Sequence, residues 1–445
     1  MNEHDRWYRM ARTTGDTTEK KTTRRAALQA AAAMGAISFA GCLGGDDDKP
    51  DGDVDEGALD NMQLELSGWA ADDTESELVQ ELVDNFEDEY DAEVDYNPIP
   101  SEYKRQIQTQ IGAGDVADVF YLDASYYPSF ADEGVLLDLE PYIEEDDEFA
   151  IDDFFDPLID AFQYDDGLYG IPKDFSTLAL YHNDRMLEDA GVDAPPETWN
   201  ELRTALESIQ AEGEVTYPMM EYDNARIFWA FLYQNGGQVL TDDGSECVIA
   251  SDENVEALEF LIDLVDDDLV GRPSETGADW HGGAIGSEEV AMAAIGPWAL
   301  PAIEDGHPEV DDDIGVSHLP APEDGEQATA AYTVSYSSSV HSENPDGAYT
   351  LIKFLTDDEG MASWAEQGLA LSARESHEDL EYYENHPRRR THLEAGEWAH
   401  VVSFGPHSQE IMNETRPQLE GAVTGEREPR EALESAEETV NNDIL

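Results

Sequence analysis

Trp298 closes the run Ala291-Met292-Ala293-Ala294-Ile295-Gly296-Pro297-Trp298, where a small-residue strand ends in a Gly-Pro turn and projects one large aromatic ring. Asp123, Ser125 and Tyr126 follow a second apolar run, Asp118-Val119-Phe120-Tyr121-Leu122, and Asp73 follows a strand that starts at Met62. An aromatic face flanked by carboxylates and hydroxyls has the chemistry of non-covalent recognition. Lys173, Arg226 and Arg374 are three of only 23 Lys and Arg in the chain.

Catalytic signatures are missing. The sequence has no G-x-S-x-G elbow, no H-E-x-x-H and no phosphate loop. Carboxylate pairs suited to glycoside hydrolysis carry no information here, because 103 Asp and Glu make such pairs by chance. The acidic runs Asp46–Asp48, Asp266–Asp268 and Asp311–Asp313 lack the glycine and terminal Glu of a calcium loop and read as solvated charge. No metal and no cofactor are expected.

The elements that must position these residues alternate between strand and helix. Met62 to Trp69 alternates like a strand, and Leu78, Val79, Leu82, Val83 and Phe86 then recur at helical spacing. The pattern repeats with a strand over Val94 to Ile99, a helix over Tyr103 to Ile111 and a strand over 118–122. This predicts an α/β fold with a mostly parallel sheet, whose ligands bind beyond the carboxyl ends of the strands. Pro172 is expected to end that sheet, after which the chain crosses to a second lobe. Helices are expected over 198–210, 226–233, 254–265, 345–355, 360–367, 408–419 and 430–439, and strands over 177–181, 315–320 and 329–340. A chain of 445 residues can bury two cores, so two lobes are expected.

Charge narrows the partners. Against 103 acidic residues stand 23 Lys and Arg, a net charge of −80, while Trp, Tyr and Phe run throughout and rule out an acidic disordered chain. Such a surface suits molar salt, where screening acts over about 3 Å. Nucleic acid and anionic membranes are excluded as partners by repulsion.

The N-terminus sets the compartment. Thr23-Arg24-Arg25-Ala26-Ala27-Leu28 places twin arginines ahead of an Ala-rich apolar run ending at Gly41, too short to span a bilayer, which needs about 20 residues. The pattern resembles a twin-arginine export signal over 1–41. Phe39-Ala40-Gly41-Cys42 resembles a lipobox with Cys42 as the lipidated residue, although Phe39 stands where an aliphatic residue is usual. Residues 42–60, rich in Gly and Asp, read as a tether. Loss of 1–41 leaves 16 Lys and Arg against 99 Asp and Glu. Cys247, the other cysteine, reads as a buried strand residue, so no disulfide is expected.

Several landmarks occur in a fixed order: Asp118 to Asp123 with Gly134-Val135-Leu136-Leu137-Asp138-Leu139, Tyr169-Gly170-Ile171-Pro172, Pro196-Glu197-Thr198-Trp199-Asn200-Glu201-Leu202, Asn235-Gly236-Gly237 and Gly296-Pro297-Trp298-Ala299. Together they resemble the family 1 extracellular solute-binding proteins, which include the maltose-binding protein of bacterial importers. With the charge and the signal, the chain resembles a lipoprotein of this family from a halophilic archaeon. The resemblance runs from about Met62 to the C-terminus.

It implies the two-lobed periplasmic-binding-protein type II fold, with discontinuous lobes joined by hinge segments near Asp174, Ala331 and Ser372. Lobe 1 would comprise 61–173 and 332–372, and lobe 2 would comprise 174–331 and 373–445. It implies a monomer, anchored outside the cell membrane through Cys42. This monomer would deliver a carbohydrate to the permease and ATPase subunits of an ABC importer, closing on it by hinge motion. An exported glycoside hydrolase is the alternative.

By the same resemblance, Trp298 is the aromatic that stacks on sugar, Asn224 and Arg226 are second-lobe contacts, and Asp73, Asp123, Ser125 and Tyr126 are first-lobe contacts. Asp174, Ser176, Tyr332 and Arg374 lie in the crossing segments within reach of ligand. Tyr126 stands where the maltose binder has an arginine, Leu122 where it has a tryptophan and Ser176 where it has a glutamate, so maltose is not assumed. The cations Lys173, Arg226 and Arg374 admit an acidic or phosphorylated sugar.

Overall fold

A computed structural model describes residues 62–69, 73–220, 224–272, 278, 280–368 and 370–445. The expected export signal, Cys42 and the expected tether lie outside the described residues. So do the side chains of Asp73 and Asn224, whose backbones open helices.

In chain order the first part is β1 (Gln63–Ser67), α1 (Asp73–Tyr90), β2 (Glu93–Tyr96), α2 (Tyr103–Ala113), β3 (Val119–Asp123), α3 (Tyr127–Asp132) and β4 (Ile171–Thr177). The second part is β5 (Ala179–Asn183), α4 (Trp199–Glu212), β6 (Tyr217–Met220), α5 (Asn224–Gln234), α6 (Asp252–Asp266), β7 (Val270–Gly271), β8 (Val290–Ile295), α7 (Ala299–Gly306) and β9 (Ile314–Ser317). Then follow β10 (Thr329–Ser337), α8 (Pro345–Leu355), α9 (Asp358–Glu366), α10 (Pro387–Glu394), β11 (Ala399–Val401), α11 (Ser408–Val423) and α12 (Pro429–Thr439). Local chemistry explains the boundaries. Thr198 caps α4 by a reciprocal capping box with Glu201, and Gly213 ends it at φ 74°.

Two large sheets form, with strand orders β11-β10-β3-β1-β2 and β9-β5-β8-β6-β7, and β4 pairs with β10; Gln163–Tyr164 and Gly167–Leu168 make a separate antiparallel ribbon. Both sheets are mixed, and the first is mostly parallel, as expected. β1 pairs in parallel with β2 and β3, and β8 and β7 pair in parallel with β6. The strands that pass between lobes run the other way: β4 and β3 are antiparallel to β10, and β5 is antiparallel to β8 and β9.

Pro172 does not end the sheet. It lies inside β4, opposite Ser335, where the register with β10 slips between Val334 and Ser335. A bulge in a strand paired along one side tolerates the missing N–H.

The buried side chains form separate cores, and the chain passes between the two largest at three places. Phe175 belongs to the first and Leu178 to the second; β10 leads back, with Ala330 and Tyr332 in the second and Ala331 and Val334 in the first; Val401 belongs to the first and Val402 to the second. The third does not fall at Ser372, because Tyr383, Leu393 and Ala399 still bury in the first core and the unforeseen strand β11 pairs with β10.

Helix α10 braces the first crossing. His392 Nδ1 lies 3.1 Å from the Thr177 carbonyl, at the end of β4, and Nε2 lies 2.9 Å from the Tyr181 hydroxyl, in β5. A neutral ring serves both, donating from Nδ1 and accepting at Nε2. On the same helix Arg388 and Arg389 pair with Glu304, and Arg388 also with Asp311, so the basic cluster at 386–392 is matched by surrounding acid, as its setting suggests.

Burial holds the His392 ring neutral, its pKa pulled down to about 3. The unfolded chain therefore takes up a proton below about 6.5 that the native ring refuses, and stability drains away as pH falls from there toward 3. His392→Gln should flatten that acid limb in urea unfolding. His392→Ala should cost roughly 1–3 kcal/mol at neutral pH by stranding its buried partners.

Candidate functional site

Strand register builds the floor of the site. Val334 pairs with Asp123 on one side and Asp174 on the other, so these three side chains form one row on one face of the first sheet. Two residues along β10, Tyr332 pairs with Ser176 on the same face. The row lies at the carboxyl end of β3, where ligands of open α/β sheets bind.

The carboxylates differ in their surroundings. Asp123 is partly exposed and accepts the Ser125 backbone N–H at 2.8 Å, turning the chain into α3. Burial pushes its carboxyl up to about 6; the Ser125 hydrogen bonds and the Lys104 charge oppose this, and the Asp174 charge adds to it. Asp174 is buried and ion-paired with Lys173 through Oδ2, while Oδ1 has no protein partner.

The second lobe brings an aromatic plate and a cation. Trp298 is only partly buried and meets Tyr332 edge to face, with ring centroids 5.7 Å apart. Its seat is Gly296, where an added Cβ would fall 2.1 Å from the indole, so only glycine lets the ring fold back on its own turn. The Arg226 guanidinium, buried near the start of α5, lies 5.6 Å from the Tyr332 ring centroid. Tyr332 thus touches Trp298 and Arg226 from the second lobe while sharing its strand face with Asp123, Asp174 and Ser176.

A rim joins the lobes. Lys104 Nζ donates to Gln409 Oε1 at 2.7 Å, Gln409 Nε2 donates to the Ser125 carbonyl at 3.3 Å, and the ammonium sits 4.5 Å over the Tyr126 ring. Burial lowers the Lys104 pKa, against the pull of the Asp123 and Glu410 charges. Sequence reasoning passed over Lys104 and Gln409. The scarcity of lysine was a usable signal for Lys104; nothing marked Gln409.

Of the expected contacts, Asp123, Asp174, Ser176, Tyr332, Trp298 and Arg226 converge, and Ser125 and Tyr126 line the rim. Arg374 is corrected. It is buried in the first lobe, donating from Nε and Nη2 to the Thr356 carbonyl at 3.0 and 2.8 Å and from Nη1 to Asp153 at 2.9 Å, with Phe154 4.5 Å beneath it. Such saturation makes it a brace. Trp69 and Trp229 are core residues, packed against Tyr103 and Tyr121 and against Phe404.

Cys247 is buried as expected, in a single bridge with Leu240, and burial pushes its thiol up to about 11. No metal-binding cluster occurs among the described residues. Because Arg374 is a brace, Arg374→Met should lower stability by about 1–3 kcal/mol, since it strands the buried Thr356 carbonyl, while Ser376 still donates to Asp153. Ligand affinity of the folded fraction should not change, a separation that denaturant titration and calorimetry on one sample would read.

Comparison with known proteins agrees with this fold. A galactooligosaccharide-binding protein of Bacillus subtilis is 23% identical over 392 residues, spanning 85% of this chain and 89% of its own length. An ABC substrate-binding protein from Listeria monocytogenes, solved in complex with cycloalternan, superposes with a TM-score of 0.73 at 25% identity, over 86% of this chain and 99% of that one. The sugar-binding protein MalE from Xanthomonas citri superposes with a TM-score of 0.76 at 21% identity, over 85% and 96%, and bears on the fold alone. The maltose-binding type of two-lobed α/β fold is therefore shared. With the family description matching residues 70–362, the chain belongs to the bacterial extracellular solute-binding proteins.

Proposed function

We propose that this protein is the extracellular, lipid-anchored solute-binding component of an ABC importer, and that it takes a sugar or oligosaccharide between its lobes. The observation that carries the reading lies on one face of β10: a partly exposed indole from one lobe against Tyr332 and, two residues along, two carboxylates from the other lobe flanking Val334. A sugar presents an apolar ring face to the first and hydroxyl donors to the second. The oligosaccharides named for the Bacillus and Listeria relatives support it. These are binding proteins, which does not favour the hydrolase alternative.

Arg226 near the plate and Lys104 at the rim extend the reading to a sugar bearing a carboxylate or phosphate. Cys42 behind the twin-arginine run supports a lipid anchor, and the family supports permease and ATPase partners and a monomeric receptor. The charge of −80 supports operation in molar salt, in a halophile.

Thermal-shift screening in molar salt against galacto-, arabino- and malto-oligosaccharides, with uronic acid and phosphorylated sugars beside them, tests the proposal. A ligand at 100 times its Kd stabilises by about 2.7 kcal/mol, a shift of a few degrees. Trp298→Ala should abolish it. Gly296→Ala should weaken binding at least tenfold with the fold retained, because its Cβ displaces the indole. If no sugar shifts the wild type, the sugar reading is wrong. Cys42→Ser, if the anchor is real, should move the protein from the membrane fraction to the medium.

Asp123 makes a pH prediction opposite in sign to that of His392. Its native pKa of about 6 lies above the ordinary 3.8, so the native state holds the proton longer and stability declines as pH rises between those values, then levels. Asp123→Asn should remove that decline and raise Tm by a few degrees at pH 7 while weakening sugar binding. Calorimetry from pH 4 to 8 would show whether the two move oppositely.

A further inference from the structure

Lys173 is fully buried, one of six lysines in a chain of net charge −80. An ion in a protein interior costs several kcal/mol in lost hydration, so its placement needs a compensating interaction. Its ammonium lies 3.9 Å from the ring centroid of Trp364, 4.7 Å from that of Tyr121 and 6.0 Å from that of Trp69, an aromatic cage of the kind that holds cations. The fourth partner is the Asp174 carboxylate.

Adjacent residues of a regular strand point to opposite faces, so Lys173 and Asp174 could not meet in a flat ladder. The register shows how they do. Asp174 pairs with Val334 and Pro172 with Ser335, leaving Lys173 as the extra residue of the bulge. The irregularity turns Lys173 toward Tyr121, on the face that carries Asp123 and Asp174. The cage in turn depends on Gly68, where a Cβ would lie 2.5 Å from the Tyr121 ring.

We propose that Lys173 is a positioning residue of the binding site: caged by Trp69, Tyr121 and Trp364, its ammonium grips one oxygen of Asp174 and leaves the other as acceptor for a ligand hydroxyl. This rests on the reading of the interlobe row as a sugar site, and adds how one of its acceptors is held. Asp174 needs holding because Asp123 shares its row across Val334, and two carboxylates repel. Oδ1, buried with no protein partner, is the atom left for the ligand.

Two readouts test this. The first uses no sugar: the crystal structure of Lys173→Met should show the Asp174 carboxylate rotated away from its wild-type position, and an unchanged rotamer would overturn the proposal. The second is calorimetric affinity for the oligosaccharide found by the screen. Lys173→Met should lose more than tenfold and Lys173→Arg should recover part of it; binding by Lys173→Met within twofold of wild type would also overturn it.

Should Lys173→Met not fold, Lys173→Met/Asp174→Asn leaves no unmatched charge and takes its place. Its affinity should equal that of Asp174→Asn alone, because Lys173 acts only through Asp174. A further tenfold loss in the double variant would refute that route. If no sugar binds the wild type, the sugar reading fails, while the Asp174 rotamer in Lys173→Met, or in Lys173→Gln where the former does not fold, still decides the role of Lys173.

Discussion

The pairing of β4 with β10 is the interaction on which the rest depends. Residues 171–177 run antiparallel to 331–336, and both strands continue into the other lobe within a residue or two of that ladder. Leu178 N donates to the Ala330 carbonyl, and Thr329 Oγ1 donates to the Leu178 carbonyl at 2.6 Å, so hydrogen bonding is unbroken where the cores part. Every site residue named for the floor is on one of these strands or is registered against them. A ladder of this kind is stiff along its length and bends at its ends, which suits lobes that rotate about a fixed floor.

Charge is handled by separation. Among the described residues Glu75 and Asp174 are the only buried acids, whereas the few cations that are buried each do a defined job. Lys173 holds Asp174, and Arg374 ties the Thr356 carbonyl to Asp153. Arg388 and Arg389 fasten α10 to Glu304. In a chain with so little positive charge, an interior cation is costly twice over, by desolvation and by its absence from the surface, so its location is informative.

Much of the fold was legible because its signals are local. Apolar runs such as 118–122 and 291–295 gave buried strands, the helical spacing of Leu78, Val83 and Phe86 gave α1, and the Pro-Glu-Thr-Trp-x-x-Leu start gave α4 with its capping box. What escaped was decided by pairing. β11 is three residues long and exists because β10 offers it an edge, so the third crossing moved from Ser372 to Val401. Pro172 reads as a strand breaker in isolation and is tolerated because the bulge occurs there. Arg374 and Arg226 look alike in sequence. Only the three-dimensional placement of Thr356 and Asp153 makes one a brace, and Lys104 needed a lobe-spanning partner to be noticed.

The site is also where local stability is given up. Asp123 is held in surroundings that disfavour its charge, Asp174 keeps a buried oxygen without a protein partner, and Trp298 leaves part of its indole outside the cores. Each departs from what a fold alone would select, which is to satisfy buried acceptors and cover aromatic surface. Unrelated accidents would scatter such departures; here they meet on one row and its neighbour across the crossing ladder. Two cores flank that ladder, large enough to carry the local cost. A ligand that presented hydroxyl donors to the row and a flat apolar face to the indole would relieve all three departures together.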